Sequence, residues 1–171
     1  MNLTIKTDVT TEPVLAAALR GWLGLDTETQ DTMLADIAKA ARCKVEKLTG
    51  KAICARTYTY TVEMPNYGIL ELPYPPIQSI VSVKTDNQDG TFTTLAAGDY
   101  NLTNNMLGCI AAIGSTVVVE YTTGTTATTE EKQLILKQGA YDYIHRGDGE
   151  SLPYSPEVVT ESKMHTINLG W

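Results

Sequence analysis

Between Gln30 and Thr49 the apolar positions recur with the period of a helix. At about 100° per residue, Leu34, Ile37, Ala38, Ala41, Val45 and Leu48 fall within an arc of about 100°, and Asp36, Lys39, Glu46 and Lys47 lie opposite. Gly50 stands where a C-terminal stop belongs. A shorter helix is predicted over 13–24. Pro13 suits a first-turn position, Glu12 complements the N-terminal dipole, and Gly24 closes the run "VLAAALRGWL". From Ala52 the period changes to two. In "RTYTYTVEM" Tyr58, Tyr60, Val62 and Met64 alternate with Thr57, Thr59, Thr61 and Glu63, as in a half-buried strand.

The β pattern continues to about Thr122. "NYG" reads as a turn and "ILEL" as a short strand. "IQSIVSVKT" and "TFTTLA" form a hairpin across "DNQDG", weaker strands follow at "DYNLT" and "GCIAAI", and a strong one at "STVVVEYT". Within "LPYPPIQSIVSV", Pro73, Pro75 and Pro76 lack ladder donors, and Tyr74 and Pro75 each precede a proline. This stretch is expected to be an edge or crossover segment, a stiff lead-in that fixes the joint between a helical part and a β part. Thr128 and Glu131 have the spacing of a capping box, which starts a helix over 129–146. On it Leu136, Ala140, Tyr141, Tyr143 and Ile144 spread over nearly half the circumference, with Gln138, Asp142, His145 and Arg146 on the remainder. Helices first and strands afterwards indicate an α+β fold: two N-terminal helices, a central antiparallel β-rich portion over 52–122, a C-terminal helix and an extended tail. The domain is expected over 1–150, with residues 151–171 as a C-terminal arm.

Composition narrows the functional classes. A chain of 171 residues with 43% hydrophobic residues fits one domain, or a compact domain with an arm. No apolar run reaches the roughly 20 residues of a membrane span, and no secretory pattern is visible at "MNLTIKTDVTTEP". The net charge of -7 lacks the cationic surplus that sequence-independent DNA binding requires. Cys43, Cys54 and Cys109 show neither paired nor metal-ligand spacing and read as reduced, buried thiols in a cytoplasmic setting. With only His145 and His165, no metal cluster is expected.

Candidate chemistry is sparse. "DNQDG" lacks the further ligands of a calcium loop and reads as a hairpin turn. "HRGDGE" groups His145, Asp148 and Glu150, but a helix C-terminus complemented by His and Arg accounts for it. "LTGKA" has no upstream glycines for a phosphate loop. Tyr58 and Tyr60 offer a nucleic-acid stacking platform or, with few basic residues interleaved, ordinary sheet packing. No catalytic, metal or cofactor-binding residue is assigned, and a non-enzymatic protein is expected. Ile167, Leu169 and Trp171 place apolar side chains at the C-terminal end, where a chain usually frays. Together with Leu136, Tyr143 and Ile144 they are the candidate interface residues.

The order and spacing of several segments resemble the tailed-phage head–tail connector (adaptor, or head completion) family. They are "EPV" at Glu12–Val14, "WLGLD" at Trp22–Asp26, "VEKLTGKAI" at Val45–Ile53, "LPYPPIQSIVSV" at Leu72–Val83, and "VVVEYTTG" before "AYDYIHRGDGE". The resemblance covers about 150 residues. It implies a virion neck protein made in the host cytoplasm and no cofactor. Its expected partners are the portal protein, a downstream neck or tail protein, and further copies of itself in a ring, commonly of twelve. The genome then passes through the lumen without specific binding, past acidic walls that repel its phosphates. Another neck component, such as a stopper or tail completion protein, and a monomeric β-rich ligand-binding module are the alternatives.

Overall fold

In the computed structural model the backbone is described for residues 1–147 and 153–167, with side chains as far as residue 163. The fold is α+β, with eight strands and four α-helices among the described residues. The chain divides into two compact units. A β unit comprises Met1–Val9 and Cys54–Thr125, and a helical unit Thr10–Ile53 and Thr126–Trp171.

The β unit contains β1 (Asn2–Thr7), β2 (Arg56–Glu63), β3 (Ile69–Glu71), β4 (Ile77–Asp86), β5 (Phe92–Thr94), β6 (Asn101–Thr103), β7 (Met106–Gly108) and β8 (Thr116–Thr123). Five strands form an antiparallel sheet in the order β1-β2-β8-β4-β5, and three form a second sheet in the order β3-β7-β6. The period of two sets the buried face. Tyr58, Tyr60 and Val62 on β2 lie opposite Tyr121, Val119 and Val117 on β8. These residues join Met64, Leu70, Leu72, Val83, Leu107, Cys109 and Ala112 in one core cluster, with Val62 at its margin. Tyr58 and Tyr60 are only 3% and 2% exposed, so they pack the sheet and offer no stacking platform. The "DNQDG" hairpin forms as expected, pairing Lys84 with Thr94 and Asp86 with Phe92.

The proline stretch corrects one expectation. It lies wholly within the β unit and crosses from β3 in the small sheet to β4 in the large one. The chain passes between units at 9/10, 53/54 and 125/126, so this stretch is not the joint between helical and β parts. The Pro73 carbonyl accepts the Tyr121 hydroxyl at 3.0 Å, and Tyr74, at φ 60°, stacks on Tyr58 at 5.4 Å. The Pro75–Pro76 peptide is cis. Beyond it, β4 pairs with β5 only at Lys84–Asp86, leaving its outer edge open towards Ile77. Two irregularities, between Ile77 and Ser79 and between Ile80 and Ser82, bend that half of the strand, a feature that discourages further pairing at an edge. "GCIAAI" is not a strand either: after β7 it turns into a 3-10 helix at Ile110–Ala112. β1, absent from the sequence-based expectation, sets Leu3 opposite Tyr60 and Ile5 opposite Tyr58.

The helical unit contains α1 (Ala16–Leu23), a 3-10 turn (Glu28–Gln30), α2 (Asp31–Thr49), α3 (Thr129–Ile144) and α4 (Pro156–Ile167). Gly24 and Gly50, at φ 68° and 69°, cap α1 and α2 as expected. α1 starts at Ala16 and not at Pro13, because the Glu12 carboxylate is held by Arg42 and Leu15 is still extended. The capping box of α3 is complete: Thr128 Oγ1 accepts the Glu131 amide at 3.2 Å and Glu131 Oε2 accepts the Thr128 amide at 2.8 Å. The orientation of α3 differs from expectation. Its buried residues are Leu134, Ile135, Gln138 and Gly139, while Leu136, Ala140, Tyr141 and Tyr143 are half-buried. Gly139 allows close packing, since a Cβ there would come within 3.2 Å of a Leu19 methyl and 3.7 Å of the Ala41 Cβ.

The expected extended tail holds a further helix, α4. Pro156 and Glu157 suit its first turn. Buried Gln138 accepts the Ser155 amide on its Oε1 at 3.0 Å, and Lys137 bonds Glu157 and Glu161 one turn apart. Val158 and Ser162 are buried, so α4 packs onto the unit through the same face.

Candidate functional site: surfaces of the two units

Among the described residues no group of three or more His, Cys, Asp or Glu is placed to hold a metal ion. The His145 ring lies against Tyr141 at 4.1 Å with Nδ1 2.9 Å from the Tyr141 carbonyl, and Asp148 and Glu150 lie outside the described residues. In the "DNQDG" turn the carboxylates are taken up by the turn itself. Asp86 accepts the Gln88 amide, and Asp89 accepts both the amide and the hydroxyl of Thr91, which lowers its pKa. Cys54 and Cys109 are buried free thiols, but Cys43 is exposed, against the expectation that all three are buried. It sits on the outward side of α2, which the apolar arc leaves in solvent.

The β unit carries an apolar surface. Tyr67 and Ile110 are 73% and 80% exposed, and Ile69, Met106 and Ile113 are exposed beside them. Geometry places them together. The Gly68 carbonyl accepts the Cys109 amide at 2.8 Å, and a Cβ on Gly68 would touch Ile113 at 3.4 Å and the Ile110 Cα at 3.5 Å. Ile69 pairs with Gly108 and Glu71 with Met106, so Ile69 and Met106 share the outer face of the small sheet while Leu70 and Leu107 face the core. Contiguous apolar exposure of this kind is characteristic of surfaces that other proteins cover.

In the helical unit, charge dominates. Arg42 is fully buried and Glu46 only 3% exposed, although Glu46 was expected on the polar side of α2. The correction has a clear cause. Arg42 donates through Nε and Nη2 to the two oxygens of Glu12, at 2.6 and 3.0 Å, and through Nη1 to Glu46 at 2.8 Å. Glu46 also accepts the Ile53 amide at 3.0 Å. One guanidinium thereby ties down both ends of the segment Thr10–Ile53. Burial by itself would lower its pKa, but the hydrogen bond to Glu12 and the charge of Glu46 outweigh that and raise it above the ordinary arginine value. Lys44 bonds Asp142 at 2.7 Å, linking α2 to α3, and Arg20 reaches Asp31 and Glu28 at 3.1 and 3.3 Å. Hydrogen bonds to Glu157 and Glu161 raise the Lys137 pKa.

The expected interface residues fall in different settings. Leu136 is half-buried in α3. Tyr143 is half-buried too; its hydroxyl donates to Gln30 Oε1 at 2.7 Å and Arg146 covers its ring at 4.0 Å. Ile144 is 66% exposed. Ile167 closes α4, while Leu169 and Trp171 lie outside the described residues. Two exposed apolar residues of this unit, Leu15 and Trp22, escaped the sequence reading as surface features. The signal for Trp22 was a large aromatic at the end of a short helix, which periodicity alone does not place inside or outside.

No protein-family model and no curated protein matches the sequence. Solved structures do share its fold. A chain in the neck of an empty gene transfer agent (GTA) particle, computed with C6 symmetry, aligns with a TM-score of 0.78 and 22% identity, over 97% of this chain and 95% of that one. A chain in the virion of a native GTA particle aligns with a TM-score of 0.77 and 22% identity, over 96% and 94%. A chain in the neck of a native GTA particle, computed with C12 symmetry, gives 0.73 and 21%, over 95% and 94%. At this identity the likeness is one of fold, and it extends over nearly the whole of each chain.

Proposed function

We propose that this protein is a structural, non-enzymatic component of a virion neck, in the adaptor position. It forms a ring under the portal that extends the DNA channel and receives the next neck or tail protein. The observation that carries this reading is the near-complete, two-way coverage of the fold match to chains from particle necks. The β unit's exposed apolar surface fits a subunit that is covered in an assembly. In this reading Ile144, with Leu136, Tyr143 and the terminal Ile167, Leu169 and Trp171, contacts neighbouring neck proteins.

Light scattering of the protein alone, and then with the cognate portal ring, tests the proposal. A ring of about twelve copies, formed alone or only on the portal, is the expected result. A protein that stays monomeric and ignores the portal is a binding module and not a neck subunit.

A further inference from the structure

The charge at the two ends of α2 does not balance locally: its start holds Asp26, Glu28 and Asp31 against one cation, Arg20, and its end holds Lys47 and Lys51 with no ion-pair partner among the described residues. Asp26 and Glu28 are exposed just before α2, with Glu28 reaching Arg20 at 3.3 Å and Asp26 facing no ion-pair partner among the described residues. At the other end Lys47 is exposed in the last turn and Lys51 half-exposed just beyond Gly50, neither with an ion-pair partner among the described residues. Helix α2 has 19 residues, so these ends are separated by about 28 Å at 1.5 Å per residue. Charges that far apart cannot meet within one copy. Lysine near a helix C-terminus complements the dipole, but that effect fades within the last turn and does not extend to Lys51 beyond the cap.

Opposite charges at opposite ends of one rigid element are what a head-to-tail contact needs, because each copy then presents two different surfaces that complement each other. Resting on the neck reading, we propose that the Lys47/Lys51 end of α2 in one copy docks on the Asp26/Glu28 end of the next, and that this electrostatic contact sets the direction of the ring. The partner is a second copy of this chain. The net charge of -7 makes unoriented approach of two copies repulsive, so a local pairing of this kind also selects orientation.

The test uses two full-length variants, K47E/K51E and D26K/E28K, and measures assembly by light scattering, alone and on the portal ring. Circular dichroism checks that both keep the helical content of the parent. Each variant alone places like charges at every contact, and the expected result is a concentration for assembly raised at least about tenfold. An equimolar mixture restores opposite charges at every contact of an alternating ring, so it is expected to assemble again. High salt is expected to weaken assembly of the parent, as the screening length falls from about 10 Å at 0.1 M to about 3 Å at 1 M. If the parent assembles and the reversed variants assemble equally well, or the mixture fails to recover, the proposed contact is overturned and the neck reading stands. If K47E/K51E assembles normally but loses affinity for a double-stranded DNA oligonucleotide, the basic end belongs to phosphate, and the contact is overturned. If the parent itself never assembles, with or without portal, both readings fall.

Discussion

The β unit buries rows of aromatic and aliphatic side chains, with Tyr58, Tyr60, Val117, Val119 and Tyr121 facing one another across β2 and β8, whereas the helical unit sets a fully buried arginine among its aliphatic residues. The β unit has a buried cation of its own, Arg56, but it lies at the first residue of β2 with its guanidinium over the Tyr58 ring. Arg42 sits in the middle of α2, with carboxylates reaching it from two directions. The strands are specified by a binary pattern that repeats every second residue. The helices are specified partly by an ion network whose members, Glu12, Arg42 and Glu46, are spread over 35 positions of sequence. The two units should therefore break in different ways.

Arg42→Ala is expected to have the largest effect. It leaves Glu12 and Glu46 facing a cavity with their partner gone, and the loss of stability should be about 3–5 kcal/mol in urea unfolding. A triple change of Glu12 and Arg42 to apolar residues of similar volume and of Glu46 to Gln, which keeps an acceptor for the Ile53 amide, should cost far less, since it removes all the buried charges together. A triple variant as unstable as Arg42→Ala would mean that the network acts through packing and not through charge. The corresponding test in the β unit is Gly124→Ala. Gly124 has φ 77°, its amide donates to the Pro76 carbonyl at 3.0 Å, and a Cβ there would lie only 2.1 Å from the Cys54 carbonyl oxygen. The left-handed backbone alone costs a residue with a Cβ about 1–2 kcal/mol, so a loss of at least about 2 kcal/mol is expected from strain and clash together.

This contrast also explains what was legible in the sequence. Alternation at Tyr58, Tyr60 and Val62 located the buried face of β2 because a strand has only two faces and the threonines marked the other. The apolar arc of α2 was legible for the same reason, and so were Gly24, Gly50 and the Thr128–Glu131 capping box, which depend on local chemistry. Glu46 was placed on the polar side because hydrophobicity cannot show that a carboxylate has an arginine four residues earlier and a glutamate 34 residues earlier completing its site. The face of α3 was misread for a related reason. Gln138 is buried with its amide group bonded to Asp142 one turn along α3 and to the Ser155 backbone, and the second contact exists only once the chain leading into α4 is in place. Helix α4 itself was hidden by the prolines around it, although Pro156 with Glu157 behind it is a good first turn. The surfaces were least legible of all. Tyr67, Ile69, Met106, Ile110 and Ile113 come together only through the pairing of β3 with β7 and the turn at Gly68.

A smaller effect is expected at the cap of α3. Thr128→Ala removes the acceptor for the Glu131 amide and should cost about 1 kcal/mol, while Thr128→Ser should restore most of it. The measurement is again urea unfolding, and the serine rescue separates capping from lost methyl packing. Equal losses in both variants would point to packing.

The smallest effect at neutral pH, and the sharpest distinction between the units, is expected at Tyr121. Its hydroxyl donates to the carbonyl of Pro73, a half-buried residue, and a single neutral hydrogen bond contributes little net stability, so Tyr121→Phe should cost about 0.5 kcal/mol. Alkaline pH changes the comparison. Burial, and after it the nearby phenols of Tyr58, Tyr60 and Tyr74, push the Tyr121 pKa up in the folded protein. Burial pushes Tyr60 up as well. A phenol whose folded pKa lies above its unfolded value contributes stability in full below the unfolded value of about 10 and loses it as pH rises from there towards the folded value, because the unfolded chain gives up the proton first. Between pH 7 and 11 the parent should therefore lose more stability than Tyr121→Phe, and the two unfolding curves should converge or cross. The buried cation of the helical unit titrates far above this range, since Arg42 is raised above the ordinary arginine value, so its network should hold across the same interval. Equal pH dependence in the parent and in Tyr121→Phe would show that the Tyr121 phenol does not govern the alkaline limit of the β unit.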